Sequence, residues 1–320
     1  MPEEYRTSRS QAWPELPYAA WKDTCATLHL WTQIVGKVRL AVTPWLNHSW
    51  HVPLYPTARG LTTSCMHRGD RSLEIEFDFI DHVLDIATSD GARRQIALGP
   101  RTVADFFGEV MSALADIGMP VRIDELPSEI PEAIPFGADR SHAAYDAGYA
   151  ERFWRVLLQV DRVLKQFRTG FIGKSSPVHF FWGSFDLAVT RFSGRRAPRH
   201  PGGVPGLADE VVREAYSHEV SSAGFWPGGG AIDYAAFYSY AYPEPPGFRT
   251  SPVEPGAALF SEALAEFLLP YDAVREAPDP DATLLAFLQS TYEAAAKAGS
   301  WDRADLECAP GLPGVPRAVS

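Results

Sequence analysis

The chain has 320 residues, and its composition of 46% apolar and 22% charged residues is that of a globular protein rather than a disordered or fibrous one. Its 29 basic and 40 acidic residues give a net charge of −11, which argues against a nucleic-acid partner, because a polyanion favours a basic face. No apolar run reaches the ~18 residues of a membrane-spanning helix and the first residues lack a secretory signal, so we expect a cytoplasmic protein without a membrane partner.

The first half of the chain is predicted to hold two helices with strands between them. Trp21–Val35 places apolar residues at steps of three and four, which predicts an amphipathic helix. Thr102–Gly118 begins with a variant capping box and ends at a glycine, which are the start and stop signals of a second helix. Apolar and acidic residues alternate over Leu73–Phe79, as in a half-buried strand, and Asp90-Gly91 predicts a hairpin turn. A shorter strand is expected over His51–Tyr55.

The second half repeats this order of elements. Phe153–Phe171 carries a continuous apolar stripe and is predicted to be a helix. Asp279–Gly299 begins with an N-capping aspartate followed by a proline at the first helical position, and it ends at a glycine. Strands are expected between these helices over His179–Phe192, Phe237–Tyr242 and Ala265–Leu269.

This order of elements predicts an α+β fold in which antiparallel sheets are covered by four main helices. It also predicts an internal duplication of a helix–strands–helix unit, with a first repeat over residues 11–124, a Pro-rich connector over residues 125–149 and a second repeat over residues 150–307. Residue identity between the repeats is slight, so a coincidental order of elements is the alternative. We expect both repeats to form one compact globule.

The segment His179–Gly230 is the part of the chain richest in residues that can carry chemistry. If His179–Phe192 is one strand, His179 and Asp186 lie on opposite faces, and a bulge at Gly183 would bring them to the same face. The pair would then act as a general base with its orienting carboxylate, and His218 would be a further histidine for proton transfer. The alternative is a structural aspartate and a core histidine without a catalytic role.

Further polar and aromatic residues of the same region are candidates for holding a ligand. Guanidinium groups crowded into Arg191–Arg199 suit a carboxylate or a phosphate, and the nearby indole rings suit the walls of a pocket. The alternative for the arginines is a solvated loop paired with surface acids. The candidate ligand-binding residues are Trp182, Ser184, Arg191, Arg195, Glu219 and Trp226.

Histidines from both halves of the chain are candidates for a metal site. His51, His179 and His218 would together supply three imidazole ligands, as in some catalytic zinc sites. No fixed-spacing motif such as H-E-x-x-H supports this set, and no P-loop or dinucleotide-binding glycine pattern occurs. The sequence therefore leaves the identity of a metal or a cofactor open.

Several long motifs resemble the bacterial domain-of-unknown-function 5996 family. They are Trp13–Pro17, Thr27–Lys37, His179–Arg195, Tyr216–Ser222 and Phe225–Gly230. The resemblance covers residues 13–307 and implies a stand-alone bacterial protein. It implies no activity, substrate or site residue, because none is assigned to the family.

Two functional hypotheses from different classes follow from these residues. The first is an enzyme that acts on a small anionic molecule, by histidine acid–base or metal chemistry, at the junction of the two repeats. The second is a non-catalytic protein that binds a small ligand in a buried polar network. A third possibility is a structural or interaction protein without a pocket. The oligomeric state stays open in each case.

Overall fold

A computed structural model describes residues 12–317 and contains two antiparallel sheets with helices packed against them, which confirms the predicted α+β class. Residue 11, the predicted start of the first repeat, lies outside the described residues. The helices are α1 (Tyr18–Val42), α2 (Val103–Asp116), α3 (Ala147–Arg168), α4 (Asp209–Ala215), α5 (Tyr271–Arg275), α6 (Pro280–Ala298) and α7 (Arg303–Leu306). The strands are β1 (Tyr55–Pro56), β2 (Gly60–Thr62), β3 (Met66–Arg68), β4 (Arg71–Asp78), β5 (Val83–Thr88), β6 (Arg93–Ala97), β7 (His179–Phe181), β8 (Asp186–Arg196), β9 (His218–Trp226), β10 (Ala236–Tyr242), β11 (Leu259–Ser261) and β12 (Glu266–Pro270).

The four long helices, α1, α2, α3 and α6, are the four that the sequence predicts. The Thr102 hydroxyl accepts a hydrogen bond from the Asp105 N–H at the start of α2, and the Asp279 carboxylate does the same for α6. α1 continues past the predicted end at Val35 as far as Val42. Its middle turns are buried on nearly every side, so a single apolar stripe underestimates the length of this helix.

The first sheet has the order β1-β2-β4-β5-β6, with β3 also paired to β4. Leu73 and Phe77 of β4 are buried and Glu74 is exposed, as the alternation predicts. The hairpin between β5 and β6 turns at Asp90-Gly91, also as predicted. The predicted strand over His51–Tyr55 is wrong for its first half, because His51 and Val52 belong to a turn in which the Val52 N–H donates to the Ser49 carbonyl over 3.2 Å. Leu54 forms a single bridge, and Tyr55 begins β1.

The second sheet has the order β11-β12-β10-β9-β8-β7. The β7 edge of this sheet meets the β1 edge of the first sheet. Leu54, just before β1, and Phe180 of β7 exchange two backbone hydrogen bonds of 2.9 Å there. α3 packs against β8, and α6 packs against β9 and β10. One face of this sheet, with Leu187 and Phe225, is therefore part of the core, and Ala188 and Tyr238 lie on the opposite face.

A single apolar core joins both halves. It contains Trp31 and Phe77 from the first half and Leu157, Phe225 and Leu288 from the second. Each half has strands between two long helices, and the internal duplication stays a prediction. Among residues 12–317, no helix combines the length and the apolar character that crossing a membrane requires.

Candidate functional site

A four-residue turn, Trp182–Phe185, separates β7 from β8. The Phe185 N–H donates to the Phe181 carbonyl over 2.8 Å, and Phe185 has a positive φ of 60°. The chain reverses direction here, so the prediction of one continuous strand over His179–Phe192 with a bulge at Gly183 is wrong. The turn carries Asp186 to the start of β8, on the face of the second sheet opposite to α3 and α6.

The structure does not bring His179 and Asp186 together as a catalytic pair. In the ladder His179 lies opposite Ala188, two residues beyond Asp186. Within the described part of the chain, neither ring nitrogen of His179 has a hydrogen-bond partner, and its ring packs against those of Trp50 and Tyr55. Burial, assisted by two nearby arginines, lowers the pKa of His179 to about 3. His179 is thus a neutral core ring, the alternative that the sequence left open.

Asp186 belongs instead to a hydrogen-bonded group with Ser184 and Tyr238. One carboxylate oxygen accepts from the Ser184 hydroxyl, and the other accepts from the Tyr238 hydroxyl. Tyr238 reaches Asp186 across β9 at Gly224, where a Cβ would collide with the phenol oxygen. Burial raises the pKa of Asp186, while the two hydrogen bonds oppose that rise.

Two more tyrosines extend this polar group along the outward face of the sheet. The hydroxyls of Tyr216 and Tyr240 lie 2.9 Å apart, and those of Thr190 and Ser222 are also hydrogen-bonded at 2.9 Å. Burial is the main cause that raises the pKa of Tyr216 and Tyr240. Both phenols therefore keep their protons at neutral pH and can donate hydrogen bonds.

The Pro-rich connector brings a second carboxyl group, that of Glu129, to the same face. The Gln33 carboxamide in α1 donates to the Ser128 carbonyl over 2.9 Å and accepts from the Ser128 N–H over 2.7 Å. On the other side, the Glu129 N–H donates to the Pro205 carbonyl over 2.8 Å. The connector is thus anchored on two sides, and the Glu129 carboxylate lies against Gly183, where a side chain would collide with it.

Glu266, at the start of β12, supplies a third carboxyl group. Burial first, and the charge of Asp186 second, raise the pKa of Glu129 and of Glu266 to about 7 each. Among residues 12–317, neither glutamate side chain has a hydrogen-bonding or ion-pair partner. Both groups therefore change charge near neutral pH and are free to take up or release a proton.

These groups line one cavity of about 780 Å³, which we call the carboxyl chamber. Lysine and arginine are absent from its described lining. His29 of α1 donates from Nε2 to the Gly183 carbonyl over 2.8 Å, and burial lowers the pKa of His29 to about 4, so this ring is neutral as well. The carboxyl chamber is defined by Glu129, Asp186, Glu266, His29, Ser184, Tyr216, Trp226, Gly228–Gly230, Tyr238 and Tyr240.

Of the two tryptophans that the sequence suggested as pocket walls, Trp226 lines the carboxyl chamber and Trp182 packs against α1. Trp226 lines the carboxyl chamber beside the Gly228–Gly230 turn. Trp182 donates from Nε1 to the Val52 carbonyl over 2.9 Å, and its ring covers Gly36 of α1. Trp182 therefore joins the second half of the chain to the first.

The predicted anion-binding arginines lie outside the carboxyl chamber. Arg191 faces the helices, where its guanidinium stacks on the rings of Phe167 and Tyr292 and donates to the Phe167 carbonyl over 2.5 Å. Arg195 forms an ion pair with Glu219 at 2.6 Å, as in the alternative of a loop paired with surface acids. Arg195 also donates to the Gly299 carbonyl at the end of α6. Each guanidinium is thus held by a different set of protein groups, so the two arginines do not form one anion site.

The three candidate metal ligands do not form a metal site in the described structure. His51 lies in the loop before β1, where Nδ1 accepts from the Leu46 N–H over 3.2 Å, and His179 is in the core. His218 begins β9, with its ring centroid 6.1 Å from that of His48. Within residues 12–317, no three His, Cys, Asp or Glu side chains are grouped so that they could hold a metal ion.

Of the residues that the sequence suggested, Asp186, Ser184 and Trp226 line the carboxyl chamber, and the sequence did not suggest Glu129 and Glu266. Glu129 lies in the segment that the sequence predicts to be a connector, and the position of its carboxyl group depends on the contacts of this segment with α1. The alternating tyrosines of β10 were a usable signal, because phenol groups on the outward face of an otherwise buried strand indicate a polar lining.

A family model covers residues 13–308 of the chain and is described as a family of unknown function (DUF5996). No curated protein and no solved structure matches the chain significantly. The matched range contains both sheets and every residue of the carboxyl chamber. The chain therefore belongs to the DUF5996 family, as its motifs indicate.

Proposed function

We propose that this protein binds a small polar molecule in the carboxyl chamber and moves a proton to or from it. The observation that carries the proposal is the convergence of Glu129, Asp186 and Glu266 on one cavity whose described lining has no lysine or arginine. Burying carboxylates without a counter-ion is costly, so protons or a ligand must neutralise them. Carboxyl groups that hold a proton near neutral pH are suited to general acid–base catalysis.

The three carboxyl groups have different roles in this proposal. Asp186 is the fixed group, because Ser184 and Tyr238 occupy both of its oxygens. Its charge helps to keep its neighbours protonated near neutral pH. Glu129 and Glu266 exchange a proton with the ligand, since no other side chain holds theirs. The phenols of Tyr216 and Tyr240 supply hydrogen-bond donors beside them.

The carboxyl chamber favours an uncharged or cationic ligand over the small anion expected from the sequence. An anion would meet the carboxyl groups of Glu129, Asp186 and Glu266, and Glu132 and Asp139 also line the cavity. The arginines that prompted the expectation lie elsewhere. The volume of about 780 Å³ falls within the range of small-molecule sites, roughly 300–1,000 Å³.

A thermal-shift screen of uncharged, cationic and anionic small molecules at pH 8 tests the ligand part of this proposal. We expect the compounds that stabilise the wild type to be uncharged or cationic. Conversion of each of these compounds is then followed by NMR in the wild type and in Glu129→Gln and Glu266→Gln. Loss of a general acid or base should lower turnover by a factor of about 100 or more, with the Kd changed much less.

The matched control is Asp70→Asn, which removes an exposed carboxyl group in the turn between β3 and β4, away from the chamber. It should leave binding and turnover unchanged. Binding that is weakened by Asp186→Asn, with no turnover in any protein, would identify a non-catalytic binding protein instead. Ligands unaffected by all three chamber substitutions would contradict the proposal.

A further inference from the structure

A second cavity of about 480 Å³ adjoins the carboxyl chamber along the same face of the sheet. The two cavities share Glu129, Ser184 and Asp186 as lining residues, so the carboxyl groups of Glu129 and Asp186 lie at their junction. We call the second cavity the apolar chamber, because most of the residues that line it away from this junction are apolar; Lys37, which is paired with Asp124, and Arg122 also line it. It is defined by Trp50, Val52, Phe181, Ala188, Leu207 and Val211.

The apolar chamber follows the outward-facing residues of β8. Asp186, Ala188, Thr190 and Phe192 alternate along this strand and all line the chamber. Three steps of two residues correspond to about 20 Å, the length of an extended small molecule. Along this strand the lining changes from the Asp186 carboxylate to the Ala188 methyl group, then to the Thr190 hydroxyl, which is hydrogen-bonded to Ser222, and finally to the Phe192 ring.

The opposite wall comes from α4 and the loop before it. Leu207 and Val211 are half-buried, so their apolar side chains keep contact with the chamber and with water. Covering such surface with a hydrocarbon group is favourable, because it removes apolar area from water. A chamber of this volume also lies within the range typical of small-molecule sites.

We infer that the apolar chamber receives the hydrocarbon part of the ligand whose polar end lies at Asp186 and Glu129. The inference rests on the proposed function, since it takes the carboxyl groups as the place where the polar end binds. The ligand class is a small amphiphile with an aliphatic or aromatic body and an uncharged or cationic head. Shared lining residues and charge complementarity at the junction favour this occupant over two unrelated ligands.

Calorimetric titration with n-alkylammonium chlorides from propyl to octyl, at pH 8, tests this inference. The probes carry the cationic head and differ only in chain length. We expect the Kd of the wild type to fall about fourfold for each added methylene until the chamber is filled. Alkanoates of equal length should bind at least tenfold more weakly, because their heads would meet the carboxylates.

Variants that change the apolar chamber separate the tail site from the head site. Val211→Trp fills the chamber and Leu207→Gln makes it more polar, so both should flatten the dependence of Kd on chain length. The matched control is Ile172→Trp, a substitution of the same kind at an exposed position outside both cavities, which should retain the dependence. Thermal unfolding confirms that each variant is folded.

The outcomes distinguish failure of the inference from failure of the proposed function. A Kd that does not depend on chain length, or that keeps its dependence in both Val211→Trp and Leu207→Gln, would overturn the inference. If propylammonium still binds in that case and Asp186→Asn raises its Kd, the proposed function of the carboxyl chamber is retained and only the tail site is lost. A chain-length dependence with no effect of Asp186→Asn or Glu129→Gln would contradict both the placement of the head and the proposed function.

Discussion

Glu129 and Glu266 bind a proton more tightly in the folded chain than in the unfolded one. Burial, and then the charge of Asp186, raise the pKa of each side chain from 4.5 to about 7. Below about pH 4.5 both groups are protonated in both states, and their contribution to stability is fully present. As the pH rises towards 7, the unfolded chain releases these protons first, so that contribution is lost across this window.

Replacing both glutamates by glutamine should remove the loss of stability that their ionisation causes as the pH rises. Between pH 4.5 and 8, the free energy of unfolding of the wild type should fall by about 1–2 kcal/mol more than that of the double variant E129Q/E266Q. This difference already allows for screening of the charges by water. Urea denaturation at several pH values measures the difference, and Asp70→Asn is again the control. Parallel pH profiles for the wild type and the double variant would show that the two carboxyl groups titrate normally.

At the scale of elements, the turn Trp182–Phe185 is held against the middle of α1. The Trp182 ring lies directly over Gly36, and a Cβ at position 36 would fall well inside van der Waals contact with it. His29, two turns earlier on α1, donates to the carbonyl of Gly183 in the same turn. The position of Asp186 therefore depends on a helix of the other half of the chain.

Gly36→Ala should destabilise the protein even though alanine favours helices. We expect overpacking against Trp182 to cost about 1–3 kcal/mol, more than the gain of up to about 1 kcal/mol in helix propensity. Gly108→Ala in α2 is the matched control, because its Cβ would meet no atom within 4 Å; it should raise the free energy of unfolding. Thermal denaturation compares the two, and a shift of the same sign in both would contradict the close contact.

The long helices could be predicted from the sequence, and most of the site could not. Thr102 and Asp279 are local signals, since each caps a helix that begins at the next residue. Asp186, Glu129 and Glu266 meet only through long-range contacts, such as the Gln33–Ser128 hydrogen bonds that place the connector. The Trp182–Phe185 turn also lacks the Asn-Gly or Asp-Gly pair that identifies a two-residue hairpin.

At the scale of the whole molecule, the two predicted repeats share one core rather than having one each. Trp31 of the first half and Leu157 of the second belong to the same apolar cluster. The connector, through Ser128, is hydrogen-bonded to Gln33 of α1 and adds to these contacts. Neither half can unfold without exposing part of the apolar surface of the other.

Calorimetry should therefore record one cooperative unfolding transition. We expect the calorimetric enthalpy to equal the van't Hoff enthalpy, because the shared core couples the halves. A second experiment follows proteolysis within the connector, which should occur at the same denaturant concentration as global unfolding. Two separated heat-capacity peaks would show that the halves are independent domains.

The hydrogen-bonded junction at Leu54 and Phe180 has a further consequence for the behaviour of the protein in concentrated solution. An open strand edge exposes N–H and C=O groups that pair readily with another chain and lead to aggregation. Here the β1 edge of the first sheet meets the β7 edge of the second sheet at the Leu54–Phe180 bridge. Each of these two edges is therefore partly covered by the other sheet. In the described part of the chain, the other edges are formed by β3, β6 and β11, with three, five and three residues, which offer short templates for such pairing.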